Sequence, residues 1–298
     1  VVDGEFDYEH LRQIIRLAIH FLDNVIDANR YPLPQIAELT RANRKIGLGV
    51  MGWANALILL GIPYNSEEAI AKAREVMAFL EETAKAYSRE LAIERGAFTH
   101  FSGSLYDRRG EAPLRNATVT TIAPTGTISM LANTSSGIEP LFGVVYQSKR
   151  ADSTFLELNA MFEKIARQRG FWSEDLPEKI LAAGTLQGVD SIPEDVQRVF
   201  VTSGEIEVQY HIRMQAAFQA FCDNAVSKTI NFAHEATEAD IHAAFLQAYE
   251  LGCKGLTVYR DGSRDSQVLN KGTQTSSGEP SRIRESIHPQ ARPKMVAG

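Results

Sequence analysis

The sequence predicts an α/β fold in which short strands alternate with crossover helices. Two observations carry this. Apolar residues recur at helical spacing in several long segments, and short β-branched runs fall between them, set off by glycine-containing turns.

The elements follow in order. Residues 7–29 place Leu11, Ile14, Ile15, Ala18, Leu22, Val25 and Ile26 on one stripe, so an amphipathic helix is expected. The run Tyr31-Pro32-Leu33-Pro34 ends it, because a residue before proline avoids the helical region. Ile46-Gly47-Leu48-Gly49-Val50-Met51-Gly52 is apolar and glycine-rich. It predicts a tight strand-to-helix transition packed against its neighbours, with a helix over 54–60. A long helix is expected over 66–95, with Asn65 and Glu68 at capping-box spacing and Gly96 at its stop. Residues 117–123 are rich in β-branched side chains (Thr118, Val119, Thr120, Thr121, Ile122) and predict a strand, as do 142–147. Helices are expected at 159–169, 173–182, 193–200, 209–223 and 238–251, and short strands at 228–232 and 255–259. From about Asn270 the chain has no aromatic residue and little that could build a core. The expected organisation is one folded unit over 1–269 and a disordered tail or linker over 270–298.

Composition narrows the function classes. With 31 basic and 37 acidic residues the net charge is −6, which does not suit a surface that coats DNA or anionic lipid. No nucleic-acid or membrane partner is expected. Cys222 and Cys253 have no CxxC spacing and no neighbouring histidines, so a disulfide framework and a zinc site are both set aside in favour of two reduced thiols in a cytosolic core. A cytoplasmic location is expected. Residues 1–5 have no signal-peptide character, and the first residue is valine, which points to a chain that starts partway through a longer one.

The strongest chemical signal is Pro124-Thr125-Gly126-Thr127-Ile128-Ser129, directly after the strand expected to end at Ala123. A strand tip, a glycine turn and a helix start leave backbone N–H groups unpaired, with Thr125, Thr127 and Ser129 adding hydroxyls. Such a constellation suits a phosphate or diphosphate. The same residues also read as an ordinary strand-to-helix turn whose hydroxyls cap the helix. Gly47-x-Gly49-x-x-Gly52 matches a dinucleotide fingerprint, with Glu67 and Glu68 at roughly the right distance, but Arg41-Ala42-Asn43-Arg44-Lys45 before it is no buried strand. His20 and His211 have no ligand-spaced partners, so no metal site is expected. Asp23 and Asp27, four apart, read as a solvated or capped helix face.

Four blocks turn these generic readings into a resemblance. They are Asn43–Gly52; Ala117–Ser129 running on to Ser135-Ser136-Gly137-Ile138-Glu139-Pro140-Leu141-Phe142; Asp223–Asn231; and Gly255–Arg264. In this order they resemble ribonucleotide reductase large subunits. The resemblance implies the C-terminal part of the ten-stranded α/β barrel of that family. It implies that Pro124, Thr125, Gly126, Thr127, Ile128 and Ser129 hold the substrate's phosphates, which displaces the capping and dinucleotide readings.

The family replaces the ribose 2′-hydroxyl by hydrogen, through a cysteine thiyl radical assisted by an asparagine and a glutamate. The product serves DNA synthesis and repair. The Asn-x-Cys-x-Glu segment that carries this chemistry has no match here and is expected upstream, so no catalytic residue is assigned and the isolated chain is predicted inactive. Metal-dependent members carry an adjacent tyrosine pair where this sequence has Val258-Tyr259. With Gly126 and the run Arg260-Asp261-Gly262-Ser263-Arg264, this resembles the adenosylcobalamin-dependent branch. The expected partners are a ribonucleoside diphosphate and a dithiol reductant such as thioredoxin, and a homodimer is compatible with the resemblance. The alternatives are a metal-dependent large subunit with a second subunit, or a non-catalytic nucleotide-binding module.

Overall fold

The computed structural model describes residues 1–150, 153–263 and 269–270. Helix α1 (Tyr8–Ala28) begins where Asp7 accepts the His10 N–H, and it buries Ile15, Ile19 and Ile26. The prolines at 32 and 34 do end it, but Pro34 also opens α2 (Pro34–Asn43), a helix the sequence reading lacks. Proline suits a first helical turn because its missing N–H would have had no partner there. α3 (Trp53–Leu60) leaves from Gly52, which holds a left-handed conformation at φ 82°. α4 (Glu67–Arg95) carries the main core: Ala69, Ala73, Val76, Met77, Leu80, Ala84 and Leu91 repeat at three- and four-residue intervals along its buried face. Its cap is Ser66, whose hydroxyl accepts the Ala69 N–H at 3.1 Å, and not Asn65. The cap falls one residue later than expected, because Ser66 takes the extended, non-helical backbone.

One turn of helix, α5 (Leu105–Arg108), precedes the central segment. The strand expected at 117–123 exists only as single-residue parallel bridges, Leu48 to Thr120 and Ile122 to Val226. The segments around 48, 120 and 226 lie side by side in one direction. Part of the ladder is replaced by a side chain: Asn224 donates its amide to Ile46 O, Thr118 Oγ1 and Thr120 O at 3.2, 3.2 and 2.8 Å. The close approach explains the glycines. A Cβ on Gly49 would sit 2.0 Å from the Thr121 carbonyl oxygen, and one on Gly47 would sit 2.6 Å from the Thr121 methyl. The Gly47–Gly52 run is therefore a backbone contact surface, and not a dinucleotide cradle.

The loop of interest leads into α6 (Gly126–Leu131). The strand expected at 142–147 is β1 (Val145–Arg150), which pairs antiparallel with β2 (Ser153–Leu158), Val145 opposite Leu158. Then come α7 (Ala160–Arg169), α8 (Leu176–Ala183) and α9 (Glu194–Val199), which enclose Phe162, Leu176, Ile180 and Phe200 in a second core. α10 (Val208–Gln219) stops before Asp223, because Asp223 turns to accept the Val119 N–H at 2.8 Å. β3 (Thr229–Phe232), α11 (Glu238–Glu250) and β4 (Thr257–Arg260) form a parallel strand–helix–strand unit, as the predicted class requires. Its small core joins Ile212, Ile230, Phe232, Ala244 and Ala248. β5 (Leu269–Asn270) pairs with β1, so Asn270 belongs to a strand, and the rest of the expected tail, 271–298, lies outside the described residues.

Asp23 is no solvated residue. It is fully buried, and its carboxylate meets Arg44 at 2.8 Å and Arg95 and Arg115 at 3.4 Å. Asp27 stays exposed and holds the far side of the Arg44 guanidinium at 2.8 Å. This network ties α1 to the ends of α2 and α4 and to the chain entering the central segment.

Candidate phosphate-binding site

The chain leaves the central segment at Ile122, bridged to Val226, and two residues later it is exposed at Pro124. Thr125 then adopts a left-handed conformation, φ 53°, and caps α6. A β-branched residue pays for that backbone, so its neighbours must hold it. They do so at its hydroxyl: Thr125 Oγ1 accepts the buried Gly137 N–H at 2.7 Å and lies 3.4 Å from Ser136 Oγ. Ser136 adds a second tie by donating its hydroxyl to Pro124 O.

The three hydroxyls named from sequence have different fates. Thr125 is spent on Gly137. Ser129 is buried, and its hydroxyl donates back to Gly126 O at 3.2 Å. Thr127 is exposed at the helix start. The backbone supplies more than the side chains. Ser129 N–H makes the first intrahelical bond, to Thr125 O at 2.9 Å, so the N–H groups of Gly126, Thr127 and Ile128 have no acceptor within the helix. All three residues are exposed. Gly126 opens the site further, since a Cβ there would meet nothing within 4 Å. Pro124 and Ile128 are exposed on the same turn as Gly126 and Thr127, while Thr125 is half-buried and Ser129 is buried.

Beneath the loop runs a floor, residues 135–139, which the sequence analysis placed in the same block as the loop but gave no role in the site. Gly52 N–H donates to Ser135 O at 2.8 Å and Trp53 N–H to Gly137 O at 3.2 Å, which seats the floor on the start of α3. Tyr64 donates its hydroxyl to Ile138 O at 2.6 Å. Glu139 accepts the Thr229 N–H at 2.7 Å with one oxygen and Lys228 Nζ at 3.1 Å with the other. Lys228 is fully buried and also donates to His211 Nδ1 at 3.0 Å. His211 Nε2 faces Ser203 O at 3.1 Å, and a carbonyl can only accept, so His211 is neutral with its proton on Nε2. Burial and the Lys228 charge push its pKa down to about 3. Burial lowers that of Lys228 as well, against the opposing pull of Glu139. Burial and the Glu139 charge raise that of Tyr64 well above the ordinary range.

Neither cysteine is an activated thiol. Burial raises the pKa of both Cys222 and Cys253. Among the described residues no group of three or more His, Cys, Asp or Glu could hold a metal ion, and no helix is long and apolar enough to cross a membrane.

Residues 1–259 match the model of the ribonucleotide reductase barrel domain. The chain belongs to the ribonucleotide reductase barrel family. It is 46% identical over 270 residues to the vitamin B12-dependent ribonucleoside-diphosphate reductase of Mycobacterium tuberculosis (strain CDC 1551 / Oshkosh), covering 91% of this chain and 39% of that protein. It is 48% identical over 275 residues to the protein of the same name from Thermoplasma acidophilum, covering 92% and 36%. Among solved structures, the Actinobacillus ureae class Id ribonucleotide reductase alpha subunit superposes with a TM-score of 0.71 at 26% identity, over 83% of this chain and 46% of that one. The chain thus spans less than two-fifths of the curated relatives named here. Membership of this family accounts for the parallel central segments, and the glycines of Gly47–Gly52 now read as barrel packing.

Proposed function

We propose that this barrel segment supplies the substrate-phosphate seat of an enzyme that reduces ribonucleoside diphosphates to 2′-deoxyribonucleotides. The observation that carries the reading is the exposed turn at Gly126–Ile128, with three N–H groups that have no acceptor within the helix and open space at the Gly126 Cβ position. Hydrogen bonds to a charged acceptor contribute about 1.5–3 kcal/mol each. Three such bonds, with the Thr127 hydroxyl, would anchor a diphosphate and so hold the ribose for reaction. The barrel unit is taken to run over residues 1–269, ten beyond the matched 259.

The cofactor proposed is adenosylcobalamin, the branch of the two most identical relatives named above. When bound, that cofactor supplies the radical that no side chain generates alone. The residues fit its branch at one position of β4. Val258 is packed among the apolar side chains around Ile230, where a tyrosine relay would need a phenol. No contact to the cofactor is assigned here. The catalytic cysteine is not part of this chain's chemistry, since no Asn-x-Cys-x-Glu occurs in it. A dithiol reductant and a cytoplasmic setting complete the proposal.

The test is Gly126→Asp in the native polypeptide that carries this segment. The new Cβ meets nothing within 4 Å, and aspartate at a helix start favours the helix, so folding is expected to be preserved. Its charge, however, stands where the phosphates would bind. Affinity for a ribonucleoside diphosphate should fall at least about tenfold with no loss of thermal stability. Unchanged affinity would remove the loop from the substrate site.

A further inference from the structure

We infer that Lys228 is a positioning residue for the phosphate loop, acting through Glu139 and the 135–139 floor. The inference rests on the loop reading above and extends it to a residue that touches no substrate.

Lys228 is 1% exposed, and its ammonium has three partners: Glu139 Oε2 at 3.1 Å, His211 Nδ1 at 3.0 Å and Thr229 O at 3.4 Å. Its charge also lies 5.6 Å from the centre of the Tyr64 ring. Packing alone does not require a lysine here. An apolar residue of similar volume would fill the space without desolvating a charge, and such replacements are often neutral or stabilising. What an apolar residue lacks is a grip on the Glu139 carboxylate. His211 contributes to that grip, because its fixed tautomer leaves a lone pair facing the ammonium.

Glu139 is the last residue of the floor and, through Thr229 N–H, pins the floor to the start of β3. Two residues before it, Gly137 donates the N–H that holds Thr125 in its left-handed conformation. A disfavoured backbone persists only where its surroundings over-determine it. At Thr125 those surroundings are the floor, and Lys228 is the floor's buried ionic anchor. With the anchor gone, Gly137 can shift, Thr125 can relax to ordinary backbone, and the turn that carries the three N–H groups loses its fixed shape. The chain of contacts is short: Lys228 to Glu139, Glu139 along the backbone to Gly137, Gly137 to Thr125.

The experiment uses the native polypeptide with Lys228→Met, Glu139→Gln and the double variant. Calorimetry gives dissociation constants for a ribonucleoside diphosphate and for the same nucleoside without phosphates, and a thermal melt confirms folding. Each single variant is expected to weaken diphosphate binding about tenfold, within the range for effects passed through one packed segment. Nucleoside binding stays unchanged, and the double variant loses no more than the worse single, since both break one link. Equal weakening of both ligands would mean a general structural role and overturn the inference; so would no weakening at all. Should Lys228→Met not fold, Glu139→Gln decides alone, because it removes the charge partner while keeping an acceptor for Thr229 N–H. Gly126→Asp separates the two levels of the argument. If it weakens diphosphate binding while the Lys228 and Glu139 variants do not, the positioning role falls and the loop reading stands. If it too has no effect, the loop reading falls as well.

Discussion

Replacing Gly49 by alanine adds one methyl group at the tightest backbone approach given above. That carbon would lie 2.0 Å from the Thr121 carbonyl oxygen and 3.1 Å from its carbon, and contacts under 3.0 Å essentially do not occur. The segments must therefore part by about an ångström. Two backbone bonds bridge them beside Gly49: Leu48 N–H to Val119 O at 2.8 Å and Thr121 N–H to Leu48 O at 2.9 Å. Losing both removes about 2 kcal/mol, and overpacking adds about 1–3 kcal/mol. The expected destabilisation is about 3–5 kcal/mol. Gly126→Ala serves as the control, because the same methyl there meets nothing. Alanine is also the better helix former, so stability should hold or rise by up to about 1 kcal/mol. Urea titration followed by circular dichroism reads both, as a shift in midpoint at constant slope. A Gly49→Ala midpoint within about 0.5 kcal/mol of the parent would refute the close-approach account of the glycine run.

Asp23→Ala leaves Arg44, Arg95 and Arg115 around a buried void, with an expected cost of about 3–5 kcal/mol by the same titration. The carboxyl also sets a pH dependence. Burial pushes its pKa up, but hydrogen bonds from Arg44 and Asn116 and the charges of Arg44 and Arg115 outweigh that and hold it below the usual range. Its stabilisation is therefore complete above the unfolded value of about 3.9 and is lost as pH falls through the lower folded value. An acid-unfolding midpoint identical in the parent and Asp23→Asn would contradict this. Thr125→Gly relieves the left-handed strain but leaves Gly137 N–H without its acceptor, so stability should stay within about 1 kcal/mol while the dissociation constant for a ribonucleoside diphosphate rises. The 298-residue chain alone, given adenosylcobalamin and a dithiol, should form no deoxyribonucleotide from labelled diphosphate, and measurable product would locate the reacting cysteine within it.

What could be read from sequence divides by range. Helices α1, α4, α7 and α11 were legible because apolar period and end signals agree within a few residues. Thr237 and Asp240 even form a full capping box on α11. The strands were less legible, because their extent depends on partners far along the chain. Thr120 pairs with Leu48 on one side and Ile122 with Val226 on the other, so a β-branched run that looks like one strand becomes two single bridges. The missed α2 shows the reverse error, in which Pro34 was read as a stop and is also a start. At the site, the loop was visible as a local motif and as a family block. A sequence cannot show that the Thr125 hydroxyl is engaged by Gly137 and that of Ser129 by Gly126. Glu139 and Lys228 both lay in quoted blocks, yet their ion pair spans 89 residues and no spacing rule reaches that far.

The position of the loop argues for its role independently of its composition. Segments 48, 120 and 226 are bridged in parallel, and β3 and β4 pair in parallel after them. In sheets of this kind ligands gather beyond the carboxyl ends of the strands, where backbone leaves the sheet and helices begin. Ala123–Ser129 is that departure for the central segment. The chain that follows doubles back as the 135–139 floor, and it is the floor that receives bonds from three separate places: the start of α3, Tyr64 and the start of β3. An ordinary capped turn needs none of this support. A turn proposed to hold a polyanion on three backbone N–H groups, with a threonine in left-handed backbone at its start, does need it. On the proposed reading the exposed glycine and the buried anchoring are two halves of one requirement, open above to admit a phosphate and tied below to hold the turn that would receive it.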